Sequence, residues 1–350
     1  MDCLEIKNEF QILHKAIEIP KINSDSDYFD CLRTGLEKYV DFIDHLFSIK
    51  RFQEIHVFKY PENSLVNLQK DIKQICNSII EVLKLYLDGR ILKSNNLFSE
   101  KLIPLYNVDR FHSLTFLEGK KFYRIVELDR NEVNKEINEL RLFHPPFHLR
   151  SKISSCRFSI NGFPTLYLGE SLDICAKEVG INLEKNYAGV LLLLKRPIKV
   201  IQFLSPKDFS SNYLQDELSL HKIPNYLFSF PLIVSSLIRC YKDGDSFKPE
   251  YIIPQMVLSY IRDHKNFDGI MFPSTRAVGF PEKFGKYNFA LPVKSFAKEG
   301  YCKDLLSCFT ISKPELITAT FNSLKAYEEE LYTQKIKDEE TKLLKRYGKN

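Results

Sequence analysis

The chain is 350 residues long, with 44% hydrophobic and 27% charged residues, among them 27 Phe and 18 Tyr. That length holds about two domains, and that composition builds a packed core, which excludes a disordered or fibrous chain. The net charge of +5, from 50 basic against 45 acidic residues, permits an anionic ligand but is too mild to indicate nucleic acid.

No stretch reaches the roughly 18 to 20 apolar residues that span a bilayer. The longest clean run, Gly189 to Leu194, has the length of one buried strand. Asp2, Glu5 and Lys7 interrupt the first residues, so no secretory leader is expected and no membrane partner. The eight cysteines form no Cys-x-x-Cys pair, and the histidines do not complete a zinc spacing. Free thiols in a reducing cytoplasm are expected, and no metal.

Residues 1–112 read as a helical N-terminal domain. Leu32, Leu36, Tyr39, Phe42 and Leu46 form one apolar stripe at helical spacing. Leu65, Leu68, Ile72, Ile75, Ile79, Val82 and Tyr86 form a second, with Asn63 or Ser64 as cap and Gly89 as terminator. From about residue 115 short apolar runs lie between turn residues: 122–126, 165–168, 190–194, 198–201 and 269–272 predict strands, with helices at about 171–180 and 251–263. The fold class expected is α+β, over 113–311. Ser312-Lys313-Pro314-Glu315 reads as a capping box with Pro in the first turn, and Ile317, Phe321, Leu324 and Leu331 as the stripe of a C-terminal helix ahead of a charged tail, over 312–350.

Four places put polar groups where strands end. Arg124 lies in an apolar run, where a guanidinium is costly unless it pairs or binds an anion. Arg157 precedes an Asn161-Gly162 turn, and Tyr167 lies in the strand beyond. Glu178 sits at the edge of the stripe Leu172, Cys175, Ala176, Val179. Ser274 follows Pro273 where a buried strand breaks into a polar turn. Each has an ordinary structural use (a salt bridge, cross-strand packing, a solvated helix face, a turn), and none alone indicates a function.

In combination they resemble a known family. Phe122-Tyr123-Arg124, Leu142-Phe143-His144-Pro145-Pro146-Phe147, Arg157-Phe158-Ser159, Gly162-x-Pro164-x-Leu166-Tyr167-Leu168, Glu178, Asp268 to Arg276, and Asn288-Phe289-Ala290-Leu291 together are similar to the RES domain, over about residues 115–300. The Arg, Glu and Ser for which that domain is named match Arg124, Glu178 and Ser274. The helical segment ahead of it, with Tyr86 to Arg90 closing the long helix, resembles the accessory region of the longer RES proteins. The resemblance implies an ADP-ribosyltransferase-like mixed sheet and cleavage of NAD+ at the nicotinamide–ribose bond. It implies a toxin, often held by an antitoxin protein, that passes ADP-ribose to phosphate or to a protein. It also implies that Arg124 and Arg157 contact NAD+, that Tyr167 lines the nicotinamide end, and that Glu178 and Ser274 complete the site.

The chemistry agrees with those residue types. Nicotinamide leaves a cationic pyridinium as a neutral base, so no general acid is required, and the transition state is oxocarbenium-like. A carboxylate beside the developing charge, as Glu178 would be, stabilises it. Guanidinium forks suit a diphosphate, and the Tyr167 ring offers a face to a cation. Two departures from the family pattern stand out. Ser159 occupies the place where shorter members often carry Asn, and Ala176 stands near the place where longer ones often carry Trp; this chain has no Trp. Whether the acceptor is phosphate, water or a protein side chain stays open, as does a homodimer.

Two other classes compete. Arg51 and His56 have the Arg-x4-His spacing of a HEPN-type RNase, but about one such pair is expected by chance in this composition. A non-catalytic nucleotide-binding module would keep the pocket without the cleavage.

Overall fold

The computed structural model describes residues 3–22, 27–55, 65–103, 110–133, 135–182, 184–240, 245–276 and 286–317. In chain order its elements are α1 (Cys3–Ala16), β1 (Lys21–Ile22), α2 (Tyr28–Ser48), α3 (Lys50–Gln53), α4 (Leu65–Leu87), α5 (Ile91–Leu97), β2 (Ser113–Phe116), β3 (Lys121–Leu128), β4 (Thr165–Gly169), α6 (Leu172–Val179), β5 (Asn186–Leu194), β6 (Ile198–Gln202), α7 (Pro206–Tyr213), α8 (Ile223–Leu237), β7 (Ile238–Arg239), α9 (Ile252–Asp263), β8 (Gly269–Pro273), β9 (Tyr287–Pro292), α10 (Lys303–Ser307), β10 (Phe309–Ile311) and β11 (Glu315–Ile317). This is a mixed α+β protein. It divides into two compact units, one of Met1–Leu114, Cys156–Phe158 and Ile201–Thr275, the other of Thr115–Ser155, Ser159–Val200 and Arg276–Asn350.

The first unit is largely helical. α2 buries the stripe expected of it, and α4 buries Leu68, Ile72, Ile75, Ile79 and Val82 of its stripe, with Leu65 and Tyr86 half-buried at its ends. The N-terminal cap positions of α4, Asn63 and Ser64, lie outside the described residues. At its other end Gly89 adopts φ +75°, and the bonds from Gly89 N–H to the Tyr86 carbonyl and from Arg90 N–H to the Leu85 carbonyl close a Schellman motif, which needs a left-handed residue there. α8 is buried on nearly every side and carries Pro231 in its interior. Proline cannot donate to the carbonyl four residues back. The Tyr39 hydroxyl of α2 donates to that carbonyl, Leu227, at 2.5 Å, so the orphaned acceptor is satisfied within the core. The Tyr28 hydroxyl serves Ser235 in the same way at 2.6 Å.

The second unit is built on a sheet. β3 and β5 pair antiparallel from Lys121↔Leu193 to Leu128↔Asn186. β10 and β11 both pair antiparallel with β5, and β4 pairs with β9 from Thr165↔Pro292 to Gly169↔Asn288. Phe122 packs edge-on against Phe116, Phe289 and Phe309 on one face. α6 covers the other face through a cluster of Tyr123, Ile125, Leu172, Cys175, Ala176, Tyr187, Leu191 and Ile317.

One expectation is corrected here. Residues 315–317 are not the first turn of a helix but the strand β11, paired Glu315↔Gly189, Leu316↔Ala188 and Ile317↔Tyr187. Gly189 has no side chain, and a Cβ there would meet Ile317 Cδ1 at 2.9 Å. Ile317 fills that space and joins the cluster under α6. The Ser312 hydroxyl, instead of capping a helix, accepts from Leu191 N–H at 3.0 Å. Phe321, Leu324 and Leu331 lie outside the described residues.

Candidate functional site

The residues singled out in the sequence fall in both units: Arg124, Tyr167 and Glu178 belong to the sheet unit, Arg157 and Ser274 to the helical one.

Within the sheet unit, β3 and β4 share the single register pair Tyr123↔Gly169 and part beyond it. Arg124 sits at that opening, half-buried, and its guanidinium bridges it by donating to the Tyr167 carbonyl at 2.7 Å. A neutral acceptor fixes the side chain without cancelling its charge. Tyr167, half-buried, lies opposite Ala290 of β9.

Glu178 is placed by α6, a short helix held at both ends. The Ser171 hydroxyl caps its start by accepting from Ile174 N–H, and Gly180 ends it at φ +66°. Its seat depends on Gly169, where a Cβ would stand 2.5 Å from Cys175 Sγ. The Glu178 carboxylate accepts from Asn288 Nδ2 at 2.6 Å, and its other oxygen lies 4.0 Å from Arg276 Nε. Both partners in that ion pair are about one-third exposed, so the attraction is screened.

Between these groups, burial pushes the Cys175 thiol up to about 12; Arg124 opposes the shift and Glu178 adds to it. Both charges therefore act on one buried sulfur, which donates to the Tyr123 carbonyl at 3.2 Å and is no nucleophile at neutral pH. His144 lies nearby, its affinity for a proton lowered first by burial and also by Arg124.

In the helical unit Arg157 is buried. Its Nη1 donates to the carbonyls of Ser236 at 2.7 Å and Ile238 at 3.0 Å, and the guanidinium lies 5.2 Å from the Tyr251 ring centroid. This arginine thus stitches together the end of α8 and β7. Ser274 is buried directly after β8. Of the HEPN-type pair, Arg51 is bonded to Glu5 at 2.5 Å, and His56 lies outside the described residues. Among the described residues no three His, Cys, Asp or Glu side chains gather as metal ligands would, and no helix is long and apolar enough to cross a membrane.

Sequence reasoning assigned no role to Asn288, Arg276 or the wholly buried Glu250, whose Oε1 accepts from Cys240 N–H at 2.7 Å. For Asn288 a signal existed: it is the one polar side chain among the buried residues Asn288 to Leu291 of β9.

Comparison with known proteins matches the RES domain to residues 123–296, which contain all five sequence-predicted site residues. A Bacillus subtilis (strain 168) protein named "Putative toxin YopC" is 31% identical over 323 residues, covering 85% of this chain and 70% of its own length. The chain belongs to the RES domain family. A more distant likeness links this RES protein to the M. tuberculosis MbcT–MbcA toxin–antitoxin complex, at 12% identity and a TM-score of 0.32, over 63% of this chain and 94% of the matched one. The RES match begins at Tyr123, in β3, and ends four residues beyond β9. Arg124, Tyr167, Glu178 and Asn288 therefore all lie in the family's own segment.

Proposed function

We propose that this RES protein is the toxin of a toxin–antitoxin pair, and that it cleaves NAD+ at the nicotinamide–ribose bond, passing ADP-ribose to phosphate or water. The observation that carries the reading is that Arg124 and Glu178 lie in one unit and are each held by a hydrogen bond, to the Tyr167 carbonyl and from the Asn288 amide. A fixed cation and a fixed carboxylate are what this substrate requires. Its diphosphate is anionic, and positive charge develops at the ribose carbon as the neutral base departs.

In this reading the Arg124 guanidinium holds a phosphate oxygen of the diphosphate. Tyr167 presents its ring to the pyridinium. Glu178 stabilises the oxocarbenium-like ribose or orients its hydroxyls. For Arg157 and Ser274 the assignment to NAD+ rests on the family resemblance alone. The toxin name of the Bacillus subtilis relative supports the toxin reading, and the antitoxin partner, a protein that would hold the enzyme inactive, rests on the family resemblance.

The test uses the full chain with NAD+, followed by chromatography for nicotinamide and phosphorus NMR for the sugar product, with and without inorganic phosphate. Nicotinamide release is expected from the wild type and its loss from Arg124→Ala and Glu178→Ala. A phosphate-dependent ADP-ribose phosphate identifies phosphorolysis, and free ADP-ribose identifies hydrolysis. Survival of NAD+ at high enzyme concentration in both conditions refutes the reading and moves a protein acceptor to the front.

A further inference from the structure

Asn288 lies on β9, directly opposite Gly169 of β4, and is only 6% exposed. The residues that follow it, Phe289, Ala290 and Leu291, are buried and apolar. A primary amide in such a place costs free energy unless its polar atoms are used. It is used on Glu178, at 2.6 Å, the short distance of a hydrogen bond to a charged acceptor. Cross-strand partners share a face of the sheet. On that face a side chain at 169 would run into Cys175 of α6, and Asn288 reaches the same helix one turn further along.

Arg276 contributes attraction at 4.0 Å, beyond hydrogen-bond range, so it favours the carboxylate without setting its angle. The amide sets the angle. It donates along one lone-pair direction of Oε1 and so limits rotation of the carboxylate on a side chain that is otherwise about one-third exposed.

We propose that Asn288 is the positioning residue of the Glu178 carboxylate, a proposal that rests on the NAD+-cleaving reading above. It touches no substrate. It holds the carboxylate in one orientation, so that the negative charge faces the ribose as its bond to nicotinamide breaks.

The test compares steady-state NAD+ cleavage by the full-length wild type, Asn288→Ala and Asn288→Leu. Loosening a reacting group by about 1 Å costs on the order of 100-fold. Both variants are therefore expected to lose about 10- to 100-fold in kcat, with KM for NAD+ within about twofold. The leucine variant is decisive because it fills a similar volume without a donor and without adding a charge beside Glu178: a packing role would spare it. Asn288→Ala added to Glu178→Gln should cost little further kcat, since a residue acting through Glu178 has nothing left to position. Active wild type with Asn288→Leu at full kcat overturns the proposal alone, as does a full further loss in the double variant. A wild type that releases no nicotinamide overturns the reading and the proposal together.

Discussion

His144 links protonation to the stability of the unit that carries Arg124 and Glu178. It is 1% exposed. Its Nε2 accepts from Cys302 N–H at 2.9 Å, and its Nδ1 lies 2.8 Å from the Pro145 carbonyl. A backbone N–H can only donate, so Nε2 must be bare and the ring's proton sits on Nδ1, bonded to that carbonyl. A second proton would land on Nε2 against the Cys302 N–H. Burial, with Arg124 adding to it, accordingly lowers the pKa from 6.5 to about 4. The folded state binds this proton less readily than the unfolded chain. The contribution to stability is thus complete above the unfolded value and is lost as pH falls from about 6.5 towards about 4. At about pH 5 the unfolded histidine is mostly protonated and the folded one mostly is not, and the difference amounts to about 2 kcal/mol. The assay is urea unfolding at about pH 7.5 and about pH 5, on the wild type and His144→Gln. The glutamine variant starts less stable but loses about 2 kcal/mol less across that interval, because carboxylates elsewhere contribute equally to both proteins. Equal losses in the two proteins would refute the tautomer and the reasoning built on it. His112 of the helical unit, held at about 3 by burial and by Lys222, adds a similar acid-side loss that His144→Gln leaves untouched.

Two further predictions concern the seat of α6 and the edge of the sheet. Gly169→Ala drives a methyl to 2.5 Å from Cys175 Sγ and 3.1 Å from the Ser171 carbonyl. It should cost about 1 to 3 kcal/mol in thermal denaturation, with partial recovery when Cys175→Ala removes the sulfur. No recovery would mean that the clash is not with Cys175. Ile317→Ala removes a buried side chain from the cluster under α6 and should cost about 2 to 5 kcal/mol. A cost below about 0.5 kcal/mol, the usual effect of a surface substitution, would mean that 315–317 does not pack on β5.

The elements that could be read from the sequence are those whose burial is one-sided or regular. α2 and α4 each carry one apolar stripe, and the strand runs around Phe122, Leu166, Leu191 and Ile270 are short and bounded by turns. α8 carries no such signal. It is buried almost all round, so its apolar residues have no period, and Pro231 stands in its interior. The Tyr39 hydroxyl, supplied from almost two hundred residues away, satisfies the carbonyl that Pro231 leaves without its helical partner. The capping pattern at Ser312 to Glu315 misleads for the opposite reason. The local signal is sound, but a free edge of β5 with a side-chain-sized gap at Gly189 offers the segment more burial as a strand than as a helix turn, and tertiary packing overrides local preference.

The site follows the same division. Arg124 and Glu178 could be picked out because a charge in an apolar run or at the edge of a stripe is visible along the chain. What holds them could not be, because each is fixed by a group distant in sequence: a backbone carbonyl at 167 and an amide at 288. A carbonyl leaves no mark on a sequence. Asn288 does leave one, a single amide in a buried strand, but the mark becomes informative only when the register Gly169↔Asn288 shows that it faces α6. The bare Gly169 matters for the same reason. It lets α6 lie close to the sheet, and that closeness brings Glu178 within 2.6 Å of the amide. A chain that kept Arg124, Glu178 and Ser274 but replaced Gly169 or Asn288 would therefore retain the family's three named residues while losing the bond that fixes the Glu178 carboxylate.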